Sequence, residues 1–256
     1  MPTVVTSRAG AVLTITLNRP EVYNAFNRDL HAALYEALGE AEDANVRAVV
    51  ITGAGKAFCA GQDLKEFQQL AGSVRVELEE SYHPNVRRIR ALEKPVIAAV
   101  NGPAAGAGLS LACVCDLRIA SSAAAFVPGF GGIGLVPDAG GTWFLERFLG
   151  YARAFEWMCS NRRLTADEAL AWGLVSAVLP ADDFAKGVAE TAERWAAAPT
   201  RAVAFTKRLF EHAHDASLEE QLALEAELQH EATQTADFRE GVAAFLEKRP
   251  PRFSGN

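Results

Sequence analysis

Three glycine-rich turns hold the residues best placed to do chemistry. The first, Ala57-Phe58-Cys59-Ala60-Gly61-Gln62-Asp63-Leu64, runs from a strand-like piece into a helix start. The second, Asn101-Gly102-Pro103-Ala104-Ala105-Gly106-Ala107-Gly108, leads from an apolar run into a second helix start. The first N–H groups of a helix have no partner within it. Small side chains let a ligand oxygen come close to that backbone. Two such starts facing each other could stabilise an oxyanion. The third turn, Val136-Pro137-Asp138-Ala139-Gly140-Gly141-Thr142, precedes an apolar helix. Asp138 there reads either as a turn or capping residue or as an acid-base group.

Other signals are weaker. Gly129 to Gly134 fits G-x-G-x-x-G, but Pro137 blocks the helix that a dinucleotide fingerprint requires, and a flexible loop lining a site fits better. Ser110 lies between Leu109 and Leu111, which is not a nucleophile elbow. His212 and His214 lack the cysteines or carboxylates that would complete a metal set, and no metal site is expected. His83, before Pro84, reads as a solvated turn residue.

The elements that must position these turns follow an α/β rhythm. Val12 to Leu17 alternates apolar and polar residues as a half-buried strand does. Leu30, Leu34 and Leu38 form a helical stripe. Arg47 to Thr52 and Pro95 to Val100 read as buried strands, Leu109 to Cys115 as a buried helix, and Asp116 to Ala120 as a strand. Ser73 to Leu92 reads as a helix interrupted at Pro84. From Thr165 onward the pattern is helical. Thr165-x-x-Glu168, Ser217-x-x-Glu220 and Asp237-x-x-Glu240 have the capping-box form. A soft boundary near Ala196-Ala197-Ala198-Pro199 divides a core, residues 1–195, from a C-terminal helical region, residues 196–256. That tail is too small for a core of its own. Its apolar positions Leu218, Leu222, Val242, Phe245 and Leu246 need a partner, either the α/β part or another subunit.

The 256 residues, with 25 Lys+Arg against 32 Asp+Glu, give a formal charge of −7. That balance argues against nucleic-acid binding, which needs cations to meet phosphates. The longest apolar run is too short to span a bilayer. The 4 cysteines form no C-x-x-C pair. No signal peptide is apparent at the start, so the expectation is a cytoplasmic protein with neither disulfides nor a membrane partner.

The three turns, in that order, resemble the crotonase superfamily, the enoyl-CoA hydratases and isomerases. The resemblance extends from Thr16-Leu17-Asn18-Arg19-Pro20-Glu21 through Lys94 to Gly102, Cys115 to Ala120, Gly134 to Asp138 and Trp172 to Val175, ending at Phe245 to Arg249. It implies an α/β, ClpP/crotonase-like spiral core of repeated ββα units, with a C-terminal helical region that builds trimers or hexamers. It implies an acyl-CoA thioester substrate and no separate cofactor, coenzyme A being part of the substrate. The backbone N–H groups of Gln62 and Ala107 become the oxyanion donors. Ala25, Ala60, Asp63, Leu64 and Lys65 become coenzyme A contacts, joined by Phe245 and Lys248 from the tail, which in some members comes from a neighbouring subunit. The positions matching the two hydratase glutamates are Ser110 and Phe130, neither of which can activate water. Asp138 stands where some isomerases of the family carry their acid. The resemblance therefore favours an isomerase, with Phe126, Phe130, Leu135 and Trp143 expected to desolvate Asp138. The acyl group is left to loop 68–84. A hydratase or lyase with a non-standard acid, and a non-catalytic coenzyme A-binding scaffold, are the alternatives.

Overall fold

A computed structural model describes residues 1–67 and 73–256. The strands are β1 (Val4–Ala9), β2 (Val12–Leu17), β3 (Ala48–Gly53), β4 (Val96–Val100), β5 (Ala104–Ala105), β6 (Leu117–Ser121), β7 (Ala125–Val127), β8 (Leu164–Thr165) and β9 (Ala177–Leu179). The helices are α1 (Arg28–Glu40), α2 (Leu64–Phe67), α3 (Val74–Glu77), α4 (His83–Ala91), α5 (Ala107–Val114), α6 (Gly141–Leu149), α7 (Tyr151–Ser160), α8 (Ala166–Ala171), α9 (Phe184–Ala196), α10 (Thr200–His212), α11 (Leu218–Thr233) and α12 (Ala236–Glu247).

Six strands form one sheet in the order β1-β2-β3-β4-β6-β9. Among the described residues of this sheet, the β1/β2 hairpin is antiparallel and the remaining pairs are parallel. A small second sheet, β5-β7-β8, stands beside it. The central strands are apolar on both faces, as a covered parallel sheet requires. Val49 and Ile51 of β3 face the main core with α1 and α5. Ala48 and Val50 face the other way, onto Phe184, Val188 and Ala192 of α9. Chain progress from β2 through β3 and β4 to β6 carries each strand end toward the same edge, where the first two glycine-rich turns emerge.

Most expected elements form within a residue or two of their expected limits. The stretch before Pro84 differs. No break occurs there: a π-helical turn, Leu78–Tyr82, joins α3 to α4 and places Pro84 in the first turn of α4. Proline lacks an N–H, and its ring clashes with the carbonyl four residues earlier, so a widened turn is one way to keep the chain helical. Asp237 and Glu240 also differ from expectation. Thr235 caps α12, while the buried Asp237 carboxylate accepts from the N–H groups of Ser254 and Gly255, at 2.7 and 2.9 Å. Glu240 pairs with Arg249 instead. The capping boxes at Thr165 and Ser217 form as expected.

The tail is pinned to the core by polar contacts. Lys207 of α10 donates to the carbonyls of Ile89 and Leu92 and pairs with Asp116, each at 3.1 Å. Arg47 reaches the carbonyls of Ala198 and Phe253, at 2.7 and 2.9 Å. Beyond α10 several apolar positions stay uncovered in the single chain: Leu218, Phe245 and Leu246 are 70%, 82% and 74% exposed. Among the described residues no helix is long and apolar enough to cross a membrane.

Candidate active site

The first two turns are held together by strand-like pairing. The Cys59 N–H donates to the Pro103 carbonyl at 3.3 Å, and the Ala105 N–H to the Cys59 carbonyl at 2.9 Å. On its other side the first turn pairs with the segment before α1. The Phe26 N–H donates to the Gly61 carbonyl at 2.7 Å, and the Asp63 N–H to the Phe26 carbonyl at 2.9 Å. These bonds bracket Gln62 in a parallel bridge. Alternation along an extended chain then turns Gln62's own N–H away from Phe26. Ala107 is the first residue of α5, so its N–H has no partner within the helix.

Glycine makes this approach possible. A side chain on Gly61, whose φ is +90°, would start 2.8 Å from the Ala105 carbonyl oxygen and 3.3 Å from the Ala107 nitrogen. One on Gly108 would start 2.2 Å from the Cys59 carbonyl oxygen, inside any possible contact. The two turns therefore touch through bare backbone, and Gln62 and Ala107 lie at the point of contact. Helix α5 behind them is buried along its whole length, which fixes its N-terminus in the core.

The third turn closes over this point. The Asp138 carbonyl accepts from the Gly141 N–H at 2.8 Å and from the Ser110 hydroxyl at 3.0 Å. Ser110 is therefore a strut between α5 and the turn. Ala139 follows in the left-handed region, at φ 49°, which is unfavourable for a side-chain-bearing residue. Ala139, Ala107, Leu111, Tyr82, His31 and Phe26 are among the residues enclosing a void of about 10 Å³ between this turn and the start of α5. One carboxylate oxygen of Asp138 is buried without a hydrogen-bond partner. Desolvation holds the Asp138 pKa up at about 6 against an ordinary 3.8.

Of the four apolar residues expected to desolvate Asp138, two are buried and two are partly exposed. Leu135 is 42% exposed. Trp143 turns outward, stacking edge-on against His214 and lying under the Arg147 guanidinium. Phe126 and Phe130 are buried, and the Phe130 ring comes within 4.0 Å of where a Gly106 side chain would start. The loop that carries Phe130 is a 3-10 turn tied down by a bond from the Gly129 N–H to Asn161, at 2.7 Å, rather than a free flap.

The residues matched to coenzyme A contacts fall into two groups. Ala25, Ala60, Asp63, Leu64 and Lys65 cluster at the first turn. Asp63 pairs with Arg19 at 3.1 Å, and Arg19 also donates to the Ala25 carbonyl at 2.6 Å. The second carboxylate oxygen of Asp63 accepts from the Lys65 N–H. Ala60, Leu64 and Lys65 are exposed. Phe245 and Lys248 lie on the exposed face of α12 and its end, and no described hydrogen bond or ion pair joins them to the first turn. Of loop 68–84, expected to shape the acyl site, residues 68–72 lie outside the described residues.

Sequence reasoning missed Tyr82 and His31. His31 stacks on Phe26 with centroids 4.5 Å apart, and burial lowers its pKa to about 4, so it is a neutral core residue at physiological pH. The Tyr82 hydroxyl donates to the Gln62 side-chain carbonyl. His83 rims a surface cleft with Val86 and Trp143. His212 bonds Gln221. A larger cavity, about 730 Å³, opens between α6 and α10, on the α6 side of the third turn. Four of its charged groups, Arg90, Asp116, Lys207 and Glu211, already pair with one another.

The parallel sheet with its two glycine-mediated turns and C-terminal helices is the crotonase fold. The chain belongs to the enoyl-CoA hydratase/isomerase family, whose model matches residues 7–256. It is 47% identical over 245 residues to a Rhodobacter capsulatus protein named probable enoyl-CoA hydratase, covering 94% of this chain and 93% of that one. It is 43% identical over 249 residues to the 1,2-epoxyphenylacetyl-CoA isomerase of Escherichia coli, covering 95% of each. Among solved structures, an enoyl-CoA hydratase from Polaromonas superimposes with a TM-score of 0.93 at 39% identity, over 98% of this chain and 99% of that one.

Proposed function

We propose that this acyl-CoA enzyme is an isomerase. The thioester carbonyl oxygen accepts from the N–H groups of Gln62 and Ala107. As a proton leaves carbon beside the thioester, negative charge builds on that oxygen, and both donors strengthen. Each contributes roughly 3 kcal/mol to lowering the barrier. Asp138 takes the proton as a carboxylate and, once protonated, returns it to another carbon of the enolate. The electron pair of the broken C–H bond moves into the enolate and out again to the new C–H bond, so the acyl mass is unchanged. The proton shuttle itself calls for no metal or redox group.

The observation that carries this reading is the Asp138 carboxylate. It has a buried, unpartnered oxygen and a pKa held near 6, on a turn whose Ala139 lines one void with Ala107. A base poised close to the working pH transfers protons in both directions with least penalty. Ser110 and Phe130, at the positions matched to the hydratase glutamates, bring no carboxyl group there. The finer reading is ring expansion of an epoxidised phenylacetyl thioester, or migration of an enoyl double bond. The 43% likeness to the Escherichia coli isomerase supports it. The 47% likeness to a protein named hydratase supports the alternative of hydration through a non-standard acid.

In the isomerase reading coenzyme A lies along Ala25, Ala60, Asp63, Leu64 and Lys65. Phe245 and Lys248 reach it from a neighbouring subunit of a trimer or hexamer in the cytoplasm. Incubation with a panel of unsaturated and epoxidised acyl-CoA esters, with products identified by mass, tests the proposal. Isomerisation leaves the mass unchanged, whereas products heavier by one water would replace this reading with the hydratase one.

A further inference from the structure

We propose that Tyr82 is a positioning residue for the reaction, its hydroxyl fixing the Gln62 side chain and, through it, the Gln62 N–H. The inference rests on the reading that this N–H binds the thioester oxygen. Gln62 is gripped from two sides. Its neighbours' backbone groups are bonded to Phe26, and its side-chain carbonyl accepts from Tyr82. The two grips meet again through the rings, because Tyr82 stands edge-on to Phe26 at 5.5 Å and to His31 at 4.0 Å. The result is a closed circuit of Phe26 backbone, Gln62, Tyr82 hydroxyl, Tyr82 ring and Phe26 ring. Rotation of Gln62 about its backbone breaks either the bridge or the hydroxyl bond.

Tyr82 suits this part and no acid-base part. It is 5% exposed, and burial pushes its phenol above the usual range, the nearby Asp138 charge adding to the effect, so it remains a donor. It ends the π-helical turn that leads into Pro84. A π turn shifts the register of the following side chains relative to a regular helix, and such turns recur at functional positions.

The test measures exchange of the α protons of phenylacetyl-CoA in D2O, followed by mass, for the full-length protein. Tyr82→Phe keeps the ring and removes the donor. Gln62→Leu removes the acceptor and keeps the backbone N–H. Each is expected to lower kcat for exchange about 10- to 100-fold, the size of effect that loss of positioning produces, with KM unchanged. The double variant is expected to be no slower than the slower single one, because both act through one bond. A Tyr82→Phe enzyme that exchanges at the wild-type rate overturns the proposal, as does a double variant whose losses multiply. A rise in KM that accounts for the whole loss does so too, since it marks a merely structural role. A wild-type protein that exchanges no α protons removes the enolate reading itself, and this inference with it.

Discussion

Replacing Asp138 by Asn separates a base from a turn residue, because the two parts respond differently to pH. The carboxyl has a pKa of about 6 in the folded chain against an ordinary 3.8. The folded state thus binds the proton more tightly than the unfolded state. Below about pH 4 both states are protonated and the group is indifferent to folding. Between about pH 4 and 6 the unfolded state ionises first, and above 6 the charged form weighs against the fold. A shift of about two pKa units corresponds to about 3 kcal/mol. Asp138 is only partly enclosed, so solvent screening reduces this to about 1–2 kcal/mol. Asn carries no charge in either state. The stability of Asp138→Asn relative to wild type should therefore climb by about 1–2 kcal/mol between pH 4 and 7, measured by urea unfolding at fixed ionic strength. Over the same range wild-type kcat/KM should rise with an apparent pKa near 6, since the base must be ionised to accept a proton. The variant should lose about 10²–10⁴-fold in isomerisation, the usual share of a positioned base. Acyl-CoA binding should survive in calorimetry. A stability difference flat from pH 4 to 7, with isomerisation at the wild-type rate, would return Asp138 to the part of an ordinary turn residue.

Three further outcomes are expected. Ser110→Ala should lower melting stability by about 1 kcal/mol, because one of two donors to the Asp138 carbonyl is lost while Gly141 keeps the other; unchanged stability would show that the hydroxyl is no strut. Gly108→Ala should cost about 3 kcal/mol or more in denaturant unfolding, since its new methyl would start 2.2 Å from the Cys59 oxygen; a variant of native stability and activity would show that the two turns need not touch. Light scattering at micromolar concentration should give a trimer or hexamer, because Leu218, Phe245 and Leu246 lie bare in the single chain. A monodisperse monomer would contradict it.

The frame was more legible than the acid's surroundings. Strands announce themselves by alternation, as in β2, or by apolar residues on both faces, as in β3 and β4, and all three lie where their residues suggest. Glycine and alanine at the two helix starts marked a close approach, because few other reasons place so many small residues before a buried helix. The direction an aromatic ring takes is harder to read, and Trp143 turned outward to Arg147 and His214. No periodicity encodes that choice. Tyr82 was hidden for another reason. Helical spacing fails across a π turn, so its side chain could not be assigned a face from the pattern around it. Asp237 shows how a local motif loses to a distant one: its carboxylate found the N–H groups of Ser254 and Gly255 rather than the start of its own helix.

The two parts of the site stand on different physical footings, and that difference bears on how relatives named for hydration and for isomerisation share one scaffold. The proposed cradle is backbone. Gly61 and Gly108 admit no side chain, and α5 behind them is buried throughout, so substitution there attacks the fold itself. The acid is a side chain on a turn tied down by two bonds to a single carbonyl and by one left-handed alanine. Exchange of Asp138, or of the Ser110 and Phe130 positions beside it, alters which proton moves and leaves the cradle standing. Charge stabilisation by fixed N–H groups is indifferent to whether the enolate was reached by removing a proton or by adding water to a double bond. On this footing the proposed isomerase differs from a hydratase in where its carboxyl groups stand rather than in the shape of its core, and the acyl-CoA panel on wild type and Asp138→Asn tests that placement directly.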